Sequence, residues 1–105
     1  MTLEQFCDVL KQAADQVYHF ESMGDSAGEH IVWQETSGRG IYGGNRRKGA
    51  VKIIQVDLYT KDESGELLGK LLEVLDTDEV AFTEPVTTYE KETGYIRHTV
   101  ECEVV

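Results

Sequence analysis

The sequence predicts an α+β domain: a largely antiparallel sheet of four to five strands with two helices packed on one face, in the order α-β-β-β-α-β-β. Three observations predict it. Residues 50–60 (AVKIIQVDLYT) are rich in β-branched side chains and contain no Gly, Pro or Asn. Ile54, Val56 and Leu58 point one way and Gln55 and Asp57 the other, the pattern of a long strand with one buried face. Two segments, 2–17 and 63–75, carry apolar residues at helical spacing. Strands and helices do not alternate regularly and no internal repeat is present, so parallel βαβ units are not expected.

In the first helix Leu3, Phe6, Cys7, Leu10, Ala13, Ala14 and Val17 form the dry stripe. Thr2 and Gln5 have the spacing of a capping box. Residues 17–21 read as a short strand and residues 22–29 (SMGDSAGE) as a turn. Residues 30–34 (HIVWQ) form the next strand, which is expected to pair with 17–21 as a hairpin. Residues 36–49 (TSGRGIYGGNRRKG) contain five glycines in fourteen positions and read as irregular. In the second helix Asp62 or Ser64 caps and Leu68, Leu71, Leu72 and Leu75 are buried. Gly69 is expected to allow that helix to approach the sheet closely. A short strand at 80–83 stops at Glu84-Pro85, and 86–93 reads as a polar connection. The last strand, 95–105, alternates cleanly. Ile96, His98, Val100, Cys102 and Val104 face in, and Arg97, Thr99, Glu101 and Glu103 face out.

At 105 residues the chain is expected to be one domain, 1–105. No apolar run approaches the ~20 residues of a membrane span, and no basic-then-apolar leader opens the sequence. Both point to a protein kept in the cytoplasm, with no membrane partner. Net charge is −10, from 20 acids and 10 bases. Thirteen of the acids lie from Gly49 onward. Such a balance repels phosphate and argues against non-specific nucleic-acid binding.

Catalytic and metal-binding constellations are not expected, and no cofactor is implied. His19, His30 and His98 sit on three different strands without ligand spacing. Cys7 and Cys102 fall on apolar stripes and read as buried free thiols. Gly38-x-Gly40-x-x-Gly43 follows a strand but opens no helix, so it is not a dinucleotide fingerprint. One charge feature stands out. Arg39, Arg46, Arg47 and Lys48 gather on one glycine-rich segment of an acidic chain. Asp57, Glu101 and Glu103 occupy the wet side of the sheet, so the basic segment of one copy is electrostatically suited to the acidic face of another.

Several segments, in this order and spacing, resemble a family: Val17-Tyr18-His19-Phe20-Glu21, Ile31-Val32-Trp33-Gln34-Glu35, Asn45-Arg46-Arg47, Val56-Asp57-Leu58-Tyr59-Thr60-Lys61 and Tyr95-Ile96-Arg97-His98. The series is similar to the small tail-completion, or tail-terminator-like, proteins of long-tailed bacteriophages and prophages. The segment Gly43-Gly44-Asn45 is more glycine-rich than the family's form. The resemblance implies a structural, non-enzymatic protein of the virion tail, present in the host cytoplasm during assembly. It implies self-association into a ring, commonly of six subunits, that caps the tail tube and takes part in head–tail joining. Its partners are then itself, the tail tube and the head-connector proteins, with genomic DNA passing through the lumen unbound. Two alternatives stay open: a regulatory or nucleic-acid-binding phage protein, whose sign is salt-sensitive DNA affinity carried by the basic segment, and a small α+β ligand-binding or enzymatic domain. The sign of the second is a deep pocket between sheet and helices lined by His98 or Cys102.

Overall fold

A computed structural model describes residues 1–20, 28–43 and 46–105, and the side chains of all of these outside 37–50. It is α+β, with two helices and an open, mostly antiparallel six-stranded sheet. The elements are α1 (Leu3–Lys11), β1 (Val17–His19), β2 (His30–Gly43), β3 (Arg46–Thr60), α2 (Glu66–Leu75), β4 (Val80–Phe82), β5 (Val86–Glu90) and β6 (Tyr95–Val104). Strand order is β1-β2-β3-β6-β4, and β5 pairs with β6 beside β4.

The long apolar strand is the centre of this sheet. β3 pairs antiparallel with β2 along one side and with β6 along the other. Its buried residues Ile54, Val56 and Leu58 meet Cys102, Val100 and His98 across β6. Across β2, Val56 and Leu58 meet Trp33 and Ile31. Phe6 and Leu10 of α1 and Leu71 and Leu75 of α2 close the same core, each fully buried. Both helices therefore serve one face.

Helix α1 is shorter than its stripe predicted. Thr2 caps it: the Gln5 N–H donates to Thr2 Oγ1 (3.1 Å) and the Thr2 N–H donates to Gln5 Oε1 (2.8 Å), the expected capping box. It ends at Lys11, and Ala13 stays buried from the turn that follows. Periodicity ran on because turn and helix face the same core. The expected β1–β2 hairpin is replaced by parallel pairing, with Val17, Tyr18 and His19 beside Ile31, Val32 and Trp33. Phe20 adopts a left-handed φ of 74° immediately after β1, and its N–H donates to Trp33 O (2.8 Å).

The segment expected to be irregular is strand instead. β2 and β3 pair out to Gly43 and Arg46, with register shifts at Glu35/Ser37 and Ile41/Tyr42. Mutual backbone pairing overrides the low strand propensity of glycine. Residues 86–90, expected to be a connection, form β5, because the outer side of β6 offers backbone partners to Val86-Thr87-Thr88-Tyr89.

Gly65, with φ of 78°, occupies the N-cap position of α2 in place of Asp62 or Ser64. Those two residues organise the turn before it. The Asp62 carboxylate accepts from Ser64 N–H (2.9 Å) and Oγ (2.7 Å), and Ser64 Oγ accepts from Glu66 N–H (3.3 Å). The Ser64 hydroxyl, and then its amide, hold the Asp62 carboxyl below the usual range. Gly69 is exposed, with open space where a Cβ stands, so it does not mediate close packing. Gly69→Ala is expected to stabilise the fold by about 0.5–1 kcal/mol, read as a higher urea midpoint. Gly65→Ala, at left-handed φ, should destabilise it.

Candidate functional site

The helix-free face of the sheet carries most of the polar residues singled out in the sequence. Residues directly opposite on neighbouring strands share a face, so the register sets out its rows. Tyr59 lies between His30 and Arg97, Asp57 between Val32 and Thr99, Gln55 between Gln34 and Glu101, and Glu103 beside Ala81.

One end of this face is aromatic. The His30 ring stacks on Tyr59 (centroids 4.7 Å apart) and meets Tyr95 edge-on at 5.5 Å and Tyr18 edge-on at 6.3 Å. Gly28 O lies 3.0 Å from His30 Nδ1 and accepts the Tyr95 hydroxyl at 3.0 Å. Lys61 Nζ lies 4.9 Å from the Tyr95 ring centroid, a cation–π contact. His30 is only 5% exposed, so these rings form a small second core on the outer face. Burial pushes the Tyr59 phenol up; Arg97 opposes this, and Asp57 and Glu90 add to it.

The middle of the face is a closed polar network. Asp57 Oδ1 accepts from Thr99 Oγ1 (2.7 Å) and Arg97 Nε (3.3 Å), and Oδ2 accepts from Gln55 Nε2 (3.0 Å). Asp57 is 7% exposed. Desolvation lowers the Arg97 pKa, but Asp57, then Tyr59 and Glu90, outweigh it and raise it. Asp57 was expected to face water or a neighbour; instead its acceptors are engaged within its own subunit.

The far end is acidic and grooved. Ala81, Thr83, Glu101 and Glu103 edge a shallow groove of about 220 Å³, and Phe82, whose register partner is the buried Cys102 of the other face, borders it. Thr83 and Glu101 fix its floor: Thr83 N–H donates to Glu101 O (3.0 Å), and Glu101 N–H donates to Thr83 Oγ1 (3.3 Å). A second groove of about 160 Å³ adjoins it, with Asp78, Glu79 and Glu103 among its walls.

Arg39, Arg46, Arg47 and Lys48 lie on the paired ends of β2 and β3, where Arg39 is opposite Val51, Arg46 opposite Gly43 and Arg47 opposite Tyr42. Their side chains lie outside the described residues. β6 pairs with β3 only from Lys52 onward, so residues 46–51 and their β2 partners extend past the sheet as a two-stranded ribbon. The molecule is correspondingly long, 50 × 26 × 23 Å. The structure therefore keeps Glu101 and Glu103 together, takes Asp57 out of reach, and puts the four bases on a projection.

Other singled-out residues fall as follows. His98 is 7% exposed, and its Nδ1 meets Thr87 Oγ1 at 2.8 Å. Cys102 is fully buried; burial, aided by Glu101, pushes its thiol up to about 12. Both cysteines are free. Neither His98 nor Cys102 lines either groove, nor the 370 Å³ depression between the helix ends that Lys11, Asp15, Glu29 and Lys70 edge. Thr60 Oγ1 donates to the Glu29 carboxylate there. Among the described residues no group of three His, Cys, Asp or Glu is placed to hold a metal ion, and no helix is long and apolar enough to cross a membrane.

Sequence reasoning missed the aromatic end and the groove beside Thr83 and Glu101. The signal for the first was present: Tyr59 lies two residues beyond Asp57, and Tyr95 two before Arg97, on the same alternating face. The second depends on β4 lying beside the end of β6, which no local pattern encodes. No protein-family model matches the sequence, and no curated protein matches it.

Two outcomes test this geometry. Asp57→Ala leaves Arg97, Thr99 and Gln55 without their acceptor and is expected to cost about 2 kcal/mol, measured by urea unfolding. Burial holds the His98 imidazole below its ordinary 6.5. The unfolded chain then binds the proton first, so this contribution is complete above pH 6.5 and shrinks as pH falls below it. His98→Asn should flatten the fall in urea midpoint between about pH 6.5 and 5.

Proposed function

We propose that this chain is a structural assembly protein of a long-tailed phage or prophage. It caps or completes the tail tube and takes part in head–tail joining, as a ring built by contacts between its own copies. In this reading it works in the host cytoplasm during assembly and ends in the virion tail. The ordered residue series from Val17 to His98 supplies the family expectation.

The observation that carries the reading is the projecting β2–β3 ribbon. It holds four of the chain's ten bases, while the body it leaves is acidic. A closed ring needs a heterologous interface, in which one patch of a subunit meets a different patch of the next. A basic projection and an acidic face make such a pair. Opposite potentials also steer the encounter and disfavour pairing of like faces. An acid-rich wall around a lumen lets DNA pass without adhering, because phosphate is repelled.

The test is assembly mass by native mass spectrometry and light scattering, for the protein alone and with purified tails. A closed oligomer is expected, falling to monomer for Arg46→Glu/Arg47→Glu. A chain that stays monomeric in both settings, or an oligomer indifferent to the substitution, contradicts the reading.

A further inference from the structure

The strand β5 is an uncovered edge. Among the described residues it hydrogen-bonds to β6 alone, and no strand lies along its other side. Apolar side chains flank this edge on both faces of the sheet: register puts Val86, 64% exposed, on the helix-free face with Thr99, and Tyr89, 63% exposed, and Phe82, 36% exposed, on the helix-covered face with Ile96 and Cys102. Glu84 and Glu101 are exposed beside them, and Glu101 shares the groove with Phe82.

An edge strand left with unpaired backbone groups is a template for another strand, and folded proteins blunt such edges with proline and charge. Pro85 and Glu84 interrupt this edge between β4 and β5. The blunting is one-sided, however. Acids repel a second acidic edge and attract a basic one, and an added strand would cover exposed apolar side chains on both faces of the edge.

The same chain carries a strand of complementary character. Residues 46–51 of β3 have β2 on one side and lie beyond the reach of β6 on the other. They include Arg46, Arg47 and Lys48. Six residues span about 20 Å, and the five of β5 about 17 Å. Two such ends match in length and in free backbone groups, and they are opposite in sign of charge.

We propose that the basic β2–β3 ribbon of a second copy docks along the β5 edge by strand addition, with its basic residues beside the groove that Thr83 and Glu101 line. The inference rests on the reading that copies of this chain associate, and it names the receiving surface. Main-chain hydrogen bonds supply the continuity of the sheet, and the groove supplies the charge selection. Because ribbon and edge are different surfaces, the contact is heterologous and propagates from copy to copy.

Cross-linking tests it on the whole chain. In a Cys7→Ser/Cys102→Val background, one isotope-labelled copy carries Lys48→Cys and an unlabelled copy carries Thr88→Cys on β5. A third preparation carries Asp8→Cys on the exposed side of α1 as the control. Disulfide-linked pairs are then read by intact mass. Ribbon-to-β5 pairs should exceed ribbon-to-α1 pairs by about tenfold or more, because docking raises the local concentration of the two thiols. A second arm avoids cysteine chemistry: Glu84→Lys/Glu101→Lys should weaken self-association about tenfold, and mixing it with Arg46→Glu/Arg47→Glu should restore it.

Association that persists with no ribbon-to-β5 preference, and without response to the Glu84/Glu101 reversal, overturns the docking site and leaves self-association standing. Predominant Thr88→Cys homodimers overturn it in favour of edge-to-edge pairing. A chain monomeric at every concentration, with and without tails, overturns both.

Discussion

The structure depends on a mismatch in strand length. β3 runs fifteen residues, but β6 pairs with it only from Lys52 to Thr60. Over the shared length β3 is a buried central strand, and Ile54, Val56 and Leu58 hold both helices to the sheet. Beyond it, among the described residues, the strand pairs with β2 alone, and the pair extends past the sheet. Core and projection are therefore one continuous piece of backbone. A ribbon that continues a packed central strand is aimed by the core, whereas a free loop is not.

The outer face shows a second consequence. A sheet covered by helices on one side alone must satisfy its other side by itself. This chain does so with two devices: the rings of Tyr18, His30, Tyr59 and Tyr95, and the network centred on Asp57. A buried carboxylate keeps its charge cheaply only where donors surround it. Arg97, Thr99 and Gln55 provide three. What this leaves toward solvent is the other end of the face, where Ala81, Thr83 and the exposed Glu101 border a groove. The division of one face into a self-satisfied part and an open part is what localises the candidate interface.

Much of this was legible in the residues. Alternation over 50–60 and 95–105 gave the two paired central strands and the side on which each residue lies. Helical spacing gave both helices and the face that they cover. Local pattern failed where the deciding interaction was remote. Glycines at 38, 40 and 43 look irregular alone, but a partner strand holds them in register. Val86 to Tyr89 looks like a connection until β6 lies beside it. The parallel β1–β2 direction and the left-handed φ of Phe20 that follows β1 have no local sign in the residues, because a Phe side chain does not advertise that conformation. Of the candidate interface, the charges of Arg46, Arg47 and Glu101 were readable. The engagement of Asp57 was not, because its partner Arg97 lies forty residues away.

The central claim is that the ribbon is an assembly element and not a part of the folding core. Shortening it tests that most directly. Gly38 and Lys52 face each other across the ladder, so residues 39–51 are replaceable by a two-residue Asn-Gly turn of hairpin geometry. Sedimentation-velocity mass with and without purified tails is then compared with the full chain. The account predicts a cooperatively folding protein that stays monomeric in both settings while the full chain forms a closed oligomer. A shortened chain that still reaches the full oligomer contradicts it.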